Sequence, residues 1–164
     1  MPPYLLDSNF FIQAHRIGFP LDVVPSFWNK VKELAENGKI ISIDKVKNEI
    51  YRDGDDLEKW CRDNLPLDFF KNASTVITSY AQIVTWAHSK NDQYTQQALN
   101  TFMDADEADA WLIAYGYTHS YPIVTYEISS PSSKKSIKIP DACLPFGVKT
   151  LIPIEMFREL GVRI

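Results

Sequence analysis

Cysteine, glycine, positive charge and long apolar runs are all scarce in this chain of 164 residues. Two cysteines, Cys61 and Cys143, cannot frame a disulfide-stapled secreted scaffold, and no CxxC pair marks a zinc ribbon. Six Gly and ten Pro exclude a collagen-like or broadly disordered chain. The most apolar stretch, Ala108 to Tyr117, is half the ~20 residues a membrane-spanning helix needs, and it carries Asp109. Met1-Pro2-Pro3 lacks the basic start of an export signal, so a soluble protein in a reducing cytoplasm is expected. Lys and Arg number 17 against 21 Asp and Glu, a net charge of -4. Coating nucleic acid by bulk charge is thereby disfavoured, although a local basic patch stays open. His15, His88 and His119 show no HExxH or paired spacing, which argues against zinc; His15 stays open as a base beside another metal.

Aromatic side chains are plentiful: nine Phe, eight Tyr and four Trp supply large units of core area. The length fits a single domain over residues 1–164, able to bury roughly 68–70% of the surface exposed when unfolded. No repeat recurs at a fixed period. Tyr4-Leu5-Leu6 reads as a strand, followed by a short helix from Asn9 to about Arg16 that Gly18-Phe19-Pro20 breaks. Pro25 suits the first turn of a helix reaching Glu36, which Asn37-Gly38 stops. Ile40-Ile41-Ser42 is a second strand. Asp44 and Asp55 are candidate caps of the next two helices. Two helices are expected between Ser79 and Met103, and another from about Asp106, with Asp104 and Asp106 taken as caps, to Thr118. Ile123 to Tyr126 and Val148 to Ile152 read as strands, Ser129 to Ser136 as a loop, and Pro153 to Leu160 as a last helix. Short apolar strands alternating with helices predict an α/β fold, a parallel sheet of about four or five strands covered on both faces.

The acids fall where apolar elements end. Asp7 follows the first strand directly, and ligands of open parallel sheets bind beyond the carboxyl ends of strands. Capping of the next helix by Asp7 or Ser8 is the plainer role. Asp109 interrupts a segment apolar on nearly every face, where a lone carboxylate needs a partner or a metal. A place in the first helical turn would also suit it. Glu49 could pair with Lys45 at i,i+4 or face the same site as Asp7. Glu127 ends its strand as Asp7 does, and Asp141 could be a ligand or a turn residue. Together these oxygens match what a Mg²⁺ or Mn²⁺ site requires.

The ordered set Leu5-Leu6-Asp7-Ser8-Asn9, Val46-x-x-Glu49-Ile50, Asp109-Ala110-Trp111-Leu112-Ile113-Ala114-Tyr115 and Ile123-Val124-Thr125-Tyr126-Glu127 resembles a PIN domain. These are nucleases typified by VapC-type toxins of toxin–antitoxin pairs. The tail, with Ile137 to Cys143 and Ile152 to Val162, looks closest to an uncharacterised branch of that superfamily. The resemblance implies a three-layer α/β/α fold and an acidic triad of Asp7, Glu49 and Asp109. Thr125 is followed at two residues by Glu127 where the family often has Asp, so Glu127 or Asp141 is the candidate fourth acid. Ser8 and Thr125 match supporting hydroxyl positions. It further implies hydrolysis of single-stranded RNA to 5′-phosphate and 3′-hydroxyl ends, a cognate antitoxin protein and a homodimer. Arg16, Lys47, Arg52, Lys134, Lys135 and Lys138 are candidate substrate contacts, or simply a solvated surface. The segment around 65–103 departs most from a compact PIN domain, as an enlarged helical part. A non-catalytic RNA-binding or protein-interaction module is the rival expectation. A haloacid dehalogenase type phosphatase is disfavoured because Asn9 stands where its second Asp would be.

Overall fold

The computed structural model describes residues 1–164. Five strands form one parallel sheet: β1 (Tyr4–Leu6), β2 (Ile40–Ile43), β3 (Phe70–Lys71), β4 (Ile123–Val124) and β5 (Thr150–Leu151), in the order β3-β2-β1-β4-β5. Nine helices surround it: α1 (Ser8–Gln13), α2 (Pro25–Glu36), α3 (Asp44–Tyr51), α4 (Asp56–Asn64), α5 (Ile77–His88), α6 (Gln96–Met103), α7 (Asp109–His119), α8 (Ile139–Cys143) and α9 (Pro153–Glu159). The architecture is a three-layer α/β/α sandwich. β1 is central, paired at Leu5 with both Ile41 and Ile123, and the chain runs outward from it first to one edge and then to the other. That reversal creates a switch point between β1 and β4, beyond whose carboxyl ends a crevice opens.

Burial on both faces explains the continuous apolar strands: Tyr4, Leu5 and Leu6 are all buried, as are all four residues of β2. One apolar cluster joins both faces, with Phe10, Phe11, Phe27, Trp28, Phe69 and Phe157 prominent in it. α7 shows why a helix apolar all round belongs inside, since Ala110 to Gly116 are all buried. A Cβ on Gly116 would lie 3.1 Å from the Tyr121 carbonyl oxygen and 3.2 Å from Ile123 Cδ1, so glycine lets α7 lie close on β4. Trp111 stacks on Tyr80 of α5 at 3.7 Å between ring centroids.

Several boundaries differ from expectation for physical reasons. β4 and β5 are shorter than their apolar runs, because the chain leaves the sheet at Thr125 and enters it only at Thr150. The first helix passes into a π-helical turn, Ala14–Gly18, closed by Phe19 N–H donating to the Ala14 carbonyl at 2.7 Å. Segment 65–103 is not purely helical: it supplies the edge strand β3 before α5 and α6. Asp44 does not cap α3. It is the first helical residue, and its carboxylate accepts from Ala73 N–H at 3.1 Å, tying α3 to that segment. Both cysteines are free and buried, and no helix is long and apolar enough to cross a membrane.

Candidate metal centre

Asp7 leaves β1 with its backbone N–H still bonded to the Val124 carbonyl at 3.0 Å, so the strand ends of β1 and β4 stay side by side. The residue is 3% exposed. One oxygen accepts from Ser8 N–H at 2.7 Å, the capping role, and the other from the Thr125 hydroxyl at 2.8 Å. Thr125 Oγ1 is itself held from two sides, accepting from Asn9 Nδ2 at 3.2 Å and from Glu127 N–H at 3.1 Å. The Asn9 side-chain oxygen Oδ1 accepts from Tyr126 N–H at 3.1 Å. Asn9 therefore clamps the end of β4 and turns the Thr125 proton toward Asp7.

Glu49 reaches the same point from α3. The Ser8 hydroxyl donates to its Oε2 at 2.6 Å, and Ala108 N–H donates to its Oε1 at 2.9 Å. The alternative pairing with Lys45 does not form; Lys45 lies over the Trp111 ring. Nor does Asp106 cap α7. The helix begins at Asp109 with Ala108 as its N-cap, and the acceptor that satisfies Ala108 comes from Glu49, 59 residues away. Asp104 instead accepts from Asp106 N–H in a local turn.

Asp109 opens α7, half-buried and without a hydrogen-bond partner for its carboxylate, facing a cleft of about 510 Å³. Glu107 and Glu127 line the same cleft. Glu127 also accepts from Ile139 N–H at 2.6 Å, at the first residue of α8. The N-termini of α1, α7 and α8 thus all point at carboxylates, and their positive ends soften the mutual repulsion.

Softening is incomplete. Burial above all, then the charges of Glu127 and Glu49, raises the Asp7 carboxyl to about 7 against the lowering bonds from Thr125 and Ser8. Burial, followed by the charges of Asp7, Glu127, Glu49 and Glu107, pushes Asp109 well above the usual carboxylate range. The Cys143 thiol of α8 is pushed up by burial and then by the charges of Asp109 and Glu127.

Asp7 and Glu49 meet through the Ser8 hydroxyl, Thr125 joins Asp7 to the backbone of Glu127, and Glu127 and Asp109 line one cleft, so the four acids lie in one neighbourhood. Asp141 is not among the acids acting on Asp7 or Asp109; it accepts from the Ser129 hydroxyl and from Ser130 N–H. Arg16 sits on the π-helical turn paired with Asp53 at 2.6 Å, outside the cleft. Lys135 lines the cleft; Lys134 does not, and offers its carbonyl to Thr95 N–H. Glu107 and the Ala108 amide carry no signal in the sequence. Asn9 stands there in the Asp7-Ser8-Asn9 strand exit and in place of a second Asp, but its clamp on β4 shows only in the structure.

No three His, Cys, Asp or Glu side chains stand close enough to make a ready cage. The donor set nevertheless fits a hard cation. It is all oxygen, Asp109 is unengaged and open to the cleft, and Mg²⁺ typically takes one or two carboxylates and keeps several waters. Thr125→Val keeps the shape but removes the donor to Asp7 and strands Asn9 Nδ2. It is expected to destabilise the protein by about 2 kcal/mol, read from urea unfolding with unchanged slope.

Fold and site together define an α/β/α protein with an acidic centre at the switch point of a parallel sheet. The chain belongs to the family described as domain of unknown function DUF4411, whose pattern matches residues 4–164. No curated protein and no solved structure matches it.

Proposed function

We propose that this protein is a Mg²⁺- or Mn²⁺-dependent endoribonuclease that hydrolyses phosphodiester bonds of single-stranded RNA. The observation behind it is the gathering of four carboxylates from β1, α3, α7 and the exit of β4, two of them held above their ordinary ionisation range. The order of motifs resembling PIN domains supports the same activity. A divalent cation, when bound, supplies neutralisation of charge at the scissile phosphate and a water of lowered pKa.

The chain's own residues divide the work. Asp109, open to the cleft, and Asp7 behind it would hold the ion. Glu49 is fixed between Ser8 and Ala108 as a third ligand or as the group that orients the attacking water. Glu127 is the better fourth acid, because Asp141 is committed to the Ser129–Ser130 turn. Thr125 and Ser8 orient the acids. By resemblance, the setting is the cytoplasm and the role that of the toxin in a type II toxin–antitoxin system, with an antitoxin protein and a homodimer.

Incubation of the purified protein with total RNA is expected to yield new 5′-phosphate ends with Mn²⁺ and none when chelator is added. RNA left intact under every divalent ion rejects the proposal. The lack of a ready three-acid cage favours the rival, a non-catalytic RNA-binding or protein-interaction module. Calorimetric titration with Mn²⁺ separates them: heat of binding that disappears in Asp7→Asn or Asp109→Asn belongs to the nuclease, and no heat in the unaltered protein to the module.

A further inference from the structure

The cleft is lined by groups of different chemistry. Glu107, Asp109 and Glu127 are its acids; Thr95, Gln97 and Thr101 of the α6 region and Lys135, Ser136 and Lys138 of the loop before α8 are its other polar residues, with Ala98, Phe102 and Ile137 apolar. The loop is not free. Gln93 Nε2 donates to the Pro131 carbonyl at 2.7 Å and to the Ser133 carbonyl at 3.1 Å, and Thr95 N–H donates to the Lys134 carbonyl at 2.9 Å. These bonds fasten the loop to the approach to α6, so helix and loop hold one shape. Lys135 and Lys138 share a cleft with three carboxylates, yet neither forms an ion pair. Two cations kept unpaired on a fixed loop, in one cleft with neutral hydroxyl and amide groups, suit a polyanion whose backbone carries its own hydroxyls.

We infer that α6 and the 129–138 loop form a track for the ribose-phosphate backbone of single-stranded RNA, with Lys135 and Lys138 on phosphates and Gln97 and Thr101 on ribose 2′-hydroxyls. The track rests on the nuclease reading for its direction, since it leads the strand onto Asp109. Lysine contacts set affinity through counterion release, while hydroxyl contacts distinguish RNA from DNA.

The test is fluorescence anisotropy of a short labelled single-stranded RNA, and of DNA of the same sequence, on the Asp109→Asn protein in Mg²⁺ across a salt series. Adding Lys135→Ala and Lys138→Ala is expected to weaken RNA binding roughly tenfold and to reduce the log–log salt slope by about 1.4, from ~0.7 per phosphate contact. Lys59→Ala, on the exposed side of α4, leaves both unchanged. Gln97→Ala with Thr101→Ala narrows the preference for RNA over DNA. In case Asp109→Asn fails to fold, KM for RNA cleavage in the Asp109-containing protein carries the same comparison. Unchanged affinity and slope in the lysine pair, or equal binding of RNA and DNA by the parent, overturns the track. Mn²⁺-dependent cleavage alongside normal binding by the lysine pair removes the track and leaves the nuclease. Lysine-dependent binding without cleavage under any divalent ion does the reverse.

Discussion

Asp109→Asn is expected to abolish Mn²⁺-dependent RNA cleavage while making the metal-free protein more stable. The two effects share a cause. Asp109 is the one acid of the cluster that opens to the cleft with no bond from the protein, so its charge serves only a ligand from outside. Without that ligand the charge is a liability: burial and four neighbouring acids disfavour it. Asparagine keeps the shape and removes the charge. The expected gain in EDTA is about 1–2 kcal/mol, with about 2–4 °C of Tm per kcal/mol for a chain of this size. The activity loss should exceed the ~100-fold typical of removing a group that merely supports a ligand. In saturating Mn²⁺ the order of stabilities inverts, because the parent gains about 2.7 kcal/mol at one hundred times Kd and the variant gains little. A variant less stable than the parent in EDTA, with normal folding and cleavage, would show that Asp109 is an ordinary first-turn acid.

The second large effect is on pH. A carboxyl raised to about 7 in the folded protein, against about 3.9 when unfolded, makes the native state bind the extra proton. Through Asp7, stability should therefore fall as pH rises from about 4 to about 7. This is the opposite of the usual salt-bridged Asp. The integrated effect from Asp7 is several kcal/mol at most, and Asp109 adds in the same direction. Melting curves in EDTA should give a higher Tm at pH 5 than at pH 8. Saturating Mn²⁺ should erase or reverse that difference, since metal binds the deprotonated acids. A Tm that rises with pH in EDTA would mean the carboxylates act separately, and the metal proposal would lose its electrostatic basis.

Much of the frame is legible from residue pattern alone. The apolar run Tyr4-Leu5-Leu6, the Pro25 start and the Asn37-Gly38 stop are local signals, and each marks a real element. α7 could be assigned to the interior because its apolar residues leave no polar face. Signals weaken where a distant partner replaces a local one. Asp106 looks like the cap of α7, yet the cap acceptor is Glu49. Lys45 looks like the partner of Glu49, yet Ser8 and Ala108 hold it. Asp141 and Glu127 are equivalent as sequence; only Glu127 shares the cleft with Asp109.

The sequence by itself determined most of the elements, though not β3 or α8, and that carboxylates end several of them, because capping, apolar periodicity and turn chemistry act over a few residues. Only the tertiary structure decided which acids meet. The order β3-β2-β1-β4-β5 sets the exits of β1 and β4 side by side, α3 and α7 lean their acids over them, and hydrogen bonds spanning up to 118 residues fix the result. Charge–charge coupling depends on separation in space, and spacing along the chain carries no measure of that distance.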